Sequence, residues 1–122
     1  MEYFIIKKEQ AKIFFVYLMC LFTLILISNN SNAQVKAVHF NADWNSSNNV
    51  DWFDNLGDCE TDDMLIEQDN NQDKYKIAIV PTIIIFDDGE EVKRFHADLS
   101  FKMAATKNEV QEYIDELLMS KF

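Results

Sequence analysis

The sequence predicts an α/β fold in which a central mixed β-sheet of four to five strands is flanked by helices. Residues 83–86 form a continuously apolar run, which is typical of a strand covered on both faces. The Asp88-Gly89 pair behind this run is typical of a hairpin turn that leads into a return strand. Near the end of the chain, apolar residues recur at helical spacing and predict an amphipathic helix that covers the sheet.

The start of the chain has the features of a secretory signal peptide. A lysine-bearing segment is followed by the uncharged run Ile13–Ile27, and Ser31 and Ala33 supply the small residues of a cleavage site. The run is short for a bilayer span, which needs about 20 residues, although an uncleaved anchor is the alternative. We therefore expect residues 1–33 to be a signal peptide cleaved at about Ala33. Residues 34–122 then form one exported domain, periplasmic or secreted, without membrane insertion.

The charge of the chain excludes two classes of partner. The whole chain has 11 basic and 21 acidic residues and a formal net charge of −10. Residues 34–122 keep 8 basic and 19 acidic residues, a net charge of −11. A domain this acidic repels nucleic acid and anionic membrane surfaces. Solubility is the simpler explanation of the acidity, and an acidic recognition surface is the alternative.

The first half of the domain predicts a parallel pair of strands joined by a helix. The run Val35–Phe40 is the first strand, and residues 50–57 have the pattern of a short helix ended by a glycine. An acidic loop at 58–63 then leads to a short apolar strand at 64–66. Right-handed crossover rules make these two strands parallel neighbours.

The second half predicts a hairpin and a covering helix. In order, the expected elements are a polar turn at 68–73, a helical turn at 74–77, a strand at 83–86, a return strand at 91–96, an edge strand at 99–103 and a helix from Thr106 to about Met119. Thr106 and Glu109 have the spacing of a capping box at the start of that helix.

The chain contains one proline, Pro81, at the entry to the apolar strand. A proline there cannot donate a ladder hydrogen bond, so the strand entry is unusual. A trans bond is favoured by statistics alone. A cis Val80–Pro81 bond would leave the preceding backbone groups at the end of the sheet, where an extended peptide could pair with them.

These segments together resemble the thioredoxin family over nearly all of residues 34–122. The most specific parts are Phe40–Trp44, "FNADW", and Tyr75–Thr82, "YKIAIVPT". The resemblance implies a thioredoxin fold, and it implies that Val80–Pro81 is the cis-proline bond of that family.

The redox motif of the family is missing from this chain. Thioredoxins carry Cys-x-x-Cys after the tryptophan, and the two positions are Asn45 and Asn48 here. Thiol exchange needs an activated thiolate and a second, resolving sulfur, and an amide supplies neither. His39 stands at the position of the buried acid of the family, and Phe53 at that of its kink-forming proline. We therefore expect no disulfide oxidoreductase activity and no cofactor.

The segment that replaces the motif has two interpretations. Its polar residues are good helix caps, and capping alone explains them. The functional interpretation is a groove that binds a peptide or protein partner by strand-like pairing. The predicted partner-binding residues are Trp44, Asn45, Ser46, Ser47, Asn48, Val80, Pro81 and Thr82.

Cys59 is the one thiol of the expected mature chain, because Cys20 lies in the signal peptide. An internal disulfide is therefore impossible. The neighbouring acids Glu60, Asp62 and Asp63 disfavour a thiolate, which favours an inert thiol. The alternative is a single-cysteine thiol-exchange protein or a dimer linked through Cys59, and a third possibility is a purely structural domain.

No metal site is expected from the sequence. Residues 69–73 match the opening of an EF-hand loop, but Lys74 replaces its glycine and Val80 its bidentate glutamate. We interpret this segment as a polar turn. His39 and His96 have no companion cysteine at zinc-site spacing.

Overall fold

The computed structural model of the protein describes residues 34–122, so the predicted signal peptide lies outside the described residues. Within 34–122, no helix has both the length and the apolar character that a membrane span requires. In chain order the elements are β1 (Val35–Asn41), a first 3-10 helix (Asp43–Asn48), a second 3-10 helix (Phe53–Asn55), β2 (Glu60–Leu65), α1 (Asn71–Lys74), β3 (Thr82–Asp87), β4 (Glu90–His96) and α2 (Lys107–Met119).

The four strands form one mixed sheet in the order β2-β1-β3-β4. β1 runs parallel to β2 and antiparallel to β3, and β3 and β4 form the predicted hairpin. The hairpin turn uses positive φ angles at Asp88 and Gly89, as the Asp-Gly pair predicts. Ile83, Ile84 and Ile85 of β3 are fully buried, because β3 lies in the interior of the sheet with both faces covered.

Two apolar clusters cover the opposite faces of the sheet. Alternate residues of β1 divide between them: Val35 and Ala37 face the larger cluster, and Val38 and Phe40 face the smaller one. The larger cluster is completed by α2 and the second 3-10 helix, and the smaller one by residues next to the strand entry at Val80.

The predicted amphipathic helix and its capping box are confirmed in α2. Thr106 Oγ1 accepts the backbone N–H of Glu109, and the Glu109 carboxylate accepts the backbone N–H of Thr106, both at 3.2 Å. Val110 and Ile114 are fully buried against the larger cluster.

The prediction of one α-helix over residues 50–57 was wrong. The segment from Asp43 to Asn55 contains two separate 3-10 helices. After the first 3-10 helix, the buried residues are Val50, Phe53 and Leu56, which lie three positions apart in the chain. That spacing suits a 3-10 helix, with three residues per turn, better than an α-helix.

The acidic segment predicted as a loop belongs to a strand. β2 begins at Glu60 and pairs in parallel with β1 from Lys36 to Asn41. Because β2 is an edge strand with one neighbour, its polar side chains can remain in water. Lys36 and Asp62 also form an exposed ion pair, with 3.6 Å between their charged atoms.

The prediction of an edge strand over residues 99–103 was also wrong. A single bridge joins Ala97 to Met103, and a tight turn lies between them. Asp98 Oδ1 accepts the backbone N–H groups of Ser100 (2.9 Å) and Lys102 (3.2 Å), which closes the turn.

The helical turn expected at 74–77 lies earlier in the chain, in α1.

Candidate functional site

The turn after β1 is held by an asparagine network, which we define as Asn41, Asn45, Asn48 and Asn49. Asn45 Nδ2 donates to Asn41 Oδ1 and to the backbone carbonyl of Phe101, both at 3.1 Å. Asn45 Oδ1 accepts from Asn48 Nδ2 at 2.8 Å. Asn41 Nδ2 donates to the Asn45 carbonyl at 3.0 Å and to Asn49 Oδ1 at 2.5 Å. The network therefore joins the end of β1, the first 3-10 helix and the loop at Phe101.

Asn45 is a structural residue of this turn. Its side chain is buried with only 3% of the residue exposed, and both amide hydrogens are used within the protein. Neither 3-10 helix has a side-chain cap hydrogen bond, so the asparagines act through the network and not as simple caps. Because an amide is not nucleophilic, this position can support the turn but cannot attack a disulfide.

An apolar groove of about 100 Å³ lies beside the turn, and we call it the Trp44 groove. Trp44 is 65% exposed, and its ring meets the Phe101 ring edge-on, with 5.2 Å between the ring centroids. An indole this exposed next to an apolar groove is typical of an interaction site. The groove is lined by Trp44, Ile66, Gln72, Ile77, Ala78, Ile79, Val80 and Phe101.

Val80 lies in the wall of the groove, and the Val80–Pro81 peptide bond is cis. Among residues 34–122, no hydrogen bond uses the backbone N–H or C=O of Val80. The hydroxyl of Thr82 donates to the Ile79 carbonyl at 2.6 Å, which occupies the neighbouring acceptor. Backbone groups without a partner are costly when they leave water, so a peptide that pairs with Val80 would be stabilised.

The structure divides the predicted partner-binding residues into two groups. Two of them, Trp44 and Val80, line the groove together. The others lie elsewhere: Ser46 and Ser47 are exposed on the turn, Asn48 is half-buried in the network, and Asn45, Pro81 and Thr82 are buried.

Sequence reasoning missed the contribution of Phe101. Its alternation with Leu99 and Met103 suggested a strand, whereas the Asp98 turn holds it at positive φ beside Trp44. Asn41 was missed as well, because a buried asparagine at a strand end shows its role only when its partners in space are known. The one signal available was the density of asparagines between residues 41 and 49.

His39 links β1 to β2 on the face of the larger cluster. Its Nδ1 lies 2.8 Å from Asp63 Oδ1, and the two residues are paired in the sheet register. Its ring centroid is 5.4 Å from that of Phe53. Nε2 is buried and has no partner among the described residues. Asp63 thus satisfies one ring nitrogen of His39.

Cys59 is far from the Trp44 groove. Cys59 directly precedes Glu60, the first residue of β2, which is paired with Lys36 near the start of β1. The groove lies beyond Asn41, at the other end of β1. At about 3.3 Å per residue, the two places are about 20 Å apart. Burial raises the pKa of the half-buried Cys59 thiol, and the carboxylates of Asp58 and Asp115 raise it further. Cys59 is therefore a weak nucleophile that cannot act at the groove.

We expect iodoacetamide to alkylate Cys59 several-fold more slowly in the folded protein at pH 8 than in the urea-unfolded chain, because the raised pKa leaves less thiolate. The Asp58→Asn/Asp115→Asn variant should react faster, and Glu112→Gln, which also turns an exposed carboxylate into an amide, is the control. The pKa of the Cys59 thiol is higher in the folded protein than in the unfolded chain. The neutral thiol therefore contributes to the free energy of unfolding fully below about pH 8.5, and this contribution is lost as the pH rises through the folded-state pKa. Equal alkylation rates in the folded and unfolded chains would contradict this prediction.

Among the described residues, no group of three or more histidine, cysteine, aspartate or glutamate side chains is arranged to hold a metal ion. The segment that resembles an EF-hand opening forms a turn with positive φ at Asp69 and Asn70. Asn71 Nδ2 then donates to the Leu65 carbonyl at 3.0 Å, which joins α1 to the end of β2.

Comparison with known proteins identifies the fold. No protein-family model and no curated protein sequence matches the chain. A thioredoxin variant from Halobacterium salinarum is 19% identical, with 71% of this chain and 77% of that chain covered and a TM-score of 0.58. Fasciola hepatica thioredoxin is 21% identical, with 76% of this chain and 89% of that chain covered and a TM-score of 0.51. Schistosoma mansoni thioredoxin is 20% identical, with 77% of this chain and 86% of that chain covered and a TM-score of 0.56. The chain has a thioredoxin-like fold.

Proposed function

We propose that this protein is a non-redox thioredoxin-fold module of the cell envelope or exterior that binds a peptide or protein partner in the Trp44 groove. The observation that carries the proposal is the exposed Trp44 ring, which stands beside Val80 at the end of the sheet. Exposed aromatic residues at the rim of an apolar groove are frequent anchors of protein interfaces.

The non-redox part of the proposal rests on the turn next to the groove. Asn45 is buried and its amide is occupied by Asn41 and Phe101, so no reactive atom reaches a bound peptide from that position. The thiol of Cys59 lies at the other end of the sheet. A mixed disulfide at the groove would need a sulfur there, and the described residues supply none.

The binding mode in the proposal is backbone pairing with an extended segment. The backbone N–H and C=O of Val80 have no partner within residues 34–122, and both are groups that a strand can pair with. Trp44 and Phe101 would then contact a side chain of the bound segment. Backbone pairing supplies affinity that is independent of sequence, and the aromatic contacts supply selectivity.

The alternative function is thiol exchange through Cys59. The thiol is partly exposed, which is the observation in its favour. Its raised pKa and its neighbours Asp58 and Asp115 weigh against it, because thiol exchange requires the thiolate.

The proposed location outside the cytoplasm rests on the sequence of residues 1–33, and the mass of the exported protein tests the cleavage at about Ala33.

The wild-type protein is expected to give no dithiothreitol-dependent reduction of insulin above the rate with dithiothreitol alone. The reason is the absence of a sulfur at positions 45 and 48. Insulin turbidity at pH 7 and pH 8 measures this, with a Cys-x-x-Cys thioredoxin as the positive control. Turnover that depends on the wild-type protein would overturn the non-redox proposal.

Peptide binding itself is tested with the Trp52→Phe variant, in which Trp44 is the one remaining tryptophan. We expect valine-rich nonapeptides with a central phenylalanine to change the Trp44 fluorescence in a saturable way. Peptides with the same side chains but alternate N-methylated amides lose strand pairing and should bind at least about tenfold more weakly. Equal affinity for both series would reject backbone pairing, and no saturable change for any peptide would reject the groove as a peptide site.

A further inference from the structure

The residues that line the Trp44 groove carry no charged side chain, but two acidic residues are chain neighbours of lining residues. Asp43 precedes Trp44, and Glu67 follows Ile66, which also lines the groove. Glu67 Oε1 accepts the backbone N–H of Asp43 at 3.0 Å, which brings the two acidic residues next to each other. Both residues are exposed, and each adjoins a lining residue in the chain, so their negative charges lie near the groove.

The basic residues near the groove do not neutralise these charges. Lys102 follows Phe101, but its backbone N–H donates to Asp98 Oδ1 at 3.2 Å, so an acidic residue lies in the same turn as this lysine. Lys76 precedes Ile77, at a different part of the lining, and Asp73 lies three residues before it. With a net charge of −11 over residues 34–122, the surroundings also favour a cation.

The exposed indole adds a second attraction for the same kind of group. The Trp44 ring contacts Phe101, and 65% of the residue stays exposed next to Asp43 in the chain. Tryptophan is the best aromatic partner for a lysine or arginine cation. A cation on the Trp44 ring would lie near the exposed acidic residues Asp43 and Glu67, so both attractions favour the same kind of group.

We propose that the partner of the Trp44 groove is an extended apolar segment that carries a lysine or arginine two residues from the side chain that contacts Trp44, because side chains two positions apart lie on the same face of a strand. This inference rests on the proposed function and adds the chemical class of the partner. The apolar lining takes the apolar side chain, and Asp43, Glu67 and the Trp44 ring take the cation. The charges of the site are solvent-exposed, so the preference is electrostatic and weakens as salt rises.

Three valine-rich nonapeptides test the proposal, each with a central phenylalanine and with lysine, glutamine or glutamate two residues before and two residues after it, on the same face of the strand. Their binding to the Trp52→Phe variant is followed by Trp44 fluorescence at low ionic strength and in about 0.5 M salt. We expect the lysine peptide to bind about three- to fivefold more tightly than the glutamine peptide, and the glutamate peptide to bind most weakly. The differences should shrink in high salt.

The Glu67→Gln/Asp43→Asn variant locates the preference. Glutamine at 67 keeps an oxygen that can accept the Asp43 N–H, so the variant removes charge and preserves the local contact. We expect it to bind the lysine and glutamine peptides equally. The control is Glu112→Gln/Glu116→Gln, which removes two exposed charges from α2 on the opposite face of the sheet and should keep the preference.

The outcomes separate this inference from the proposed function. Saturable binding of all three peptides with equal affinity, or a preference for glutamate, overturns the cationic partner and leaves the groove as a peptide site. A lysine preference that survives in the Glu67→Gln/Asp43→Asn variant also overturns it. No binding of any peptide rejects the proposed function and this inference with it.

Discussion

Replacing Asn45 with alanine is expected to lower the free energy of unfolding by about 2–4 kcal/mol. The substitution removes three side-chain hydrogen bonds at a buried position and leaves Asn41 Oδ1, the Phe101 carbonyl and Asn48 Nδ2 without this partner. Buried polar groups that lose a partner cost about 1–3 kcal/mol each when water cannot replace it. Urea unfolding, followed by circular dichroism, measures the change.

Two variants make this experiment specific. Ser46→Ala removes a polar side chain from the exposed neighbouring position and should change stability by less than about 0.5 kcal/mol. Asn45→Asp keeps the shape but places an oxygen opposite two acceptors, so at neutral pH it should destabilise the protein at least as much as alanine does. A loss below about 0.5 kcal/mol for Asn45→Ala would show that the asparagine network does not support the turn.

Replacing Trp44 with alanine is expected to weaken peptide binding about thirtyfold, which corresponds to about 2 kcal/mol. The ring is the most exposed aromatic surface of the groove, and its removal also frees the Phe101 ring that it contacts. Because the wild-type reporter is lost, affinity is measured by the anisotropy of a labelled valine-rich peptide. The free energy of unfolding should fall by less than about 1.5 kcal/mol, since the lost contact is one aromatic pair at the surface.

The controls for this prediction use the second tryptophan and a smaller change of the ring. Trp52 is half-buried against the larger cluster and lies outside the groove, so Trp52→Phe should leave affinity unchanged. Trp44→Phe retains an aromatic contact with Phe101 and should lose less affinity than alanine. If Trp44→Ala binds the labelled peptide as tightly as wild type, the groove is not the binding site.

The adjacent positions Trp44 and Asn45 thus have opposite roles. The first 3-10 helix directs the Trp44 ring to solvent and turns Asn45 inward, with non-helical dihedral angles at Asn45. The inward asparagine joins the turn to the end of β1 and to the Phe101 loop, and the outward tryptophan stays exposed.

Much of the fold could be predicted because the responsible patterns are local. The β3 run, the Asp88-Gly89 turn and the Thr106 capping box each encode one element through burial, positive φ or end capping. The segments that were mispredicted depend on position in space. β2 contains acidic residues that a strand accepts only at a sheet edge, and the edge location follows from the pairing with β1.

The candidate site was predicted in part for the same reason. Trp44 and Val80 could be placed at one end of the sheet because each follows or precedes a recognisable strand. Phe101 could not, since its contact with Trp44 depends on the hydrogen bonds of Asp98 in a turn with no repeating pattern. The burial of Asn45 was equally hidden, because polar side chains give the same sequence signal whether water or protein satisfies them.

The sequence by itself determined the class of fold, the absence of sulfur at positions 45 and 48, and the acidic charge of the domain. These properties follow from residue identity and local periodicity, which need no knowledge of neighbours in space. Only the tertiary structure decided that Asn45 is buried, that Phe101 completes the groove and that Glu67 stands beside Asp43. Each of those depends on contacts between segments far apart in the chain, and such contacts form only when burial of the two apolar clusters brings the segments together.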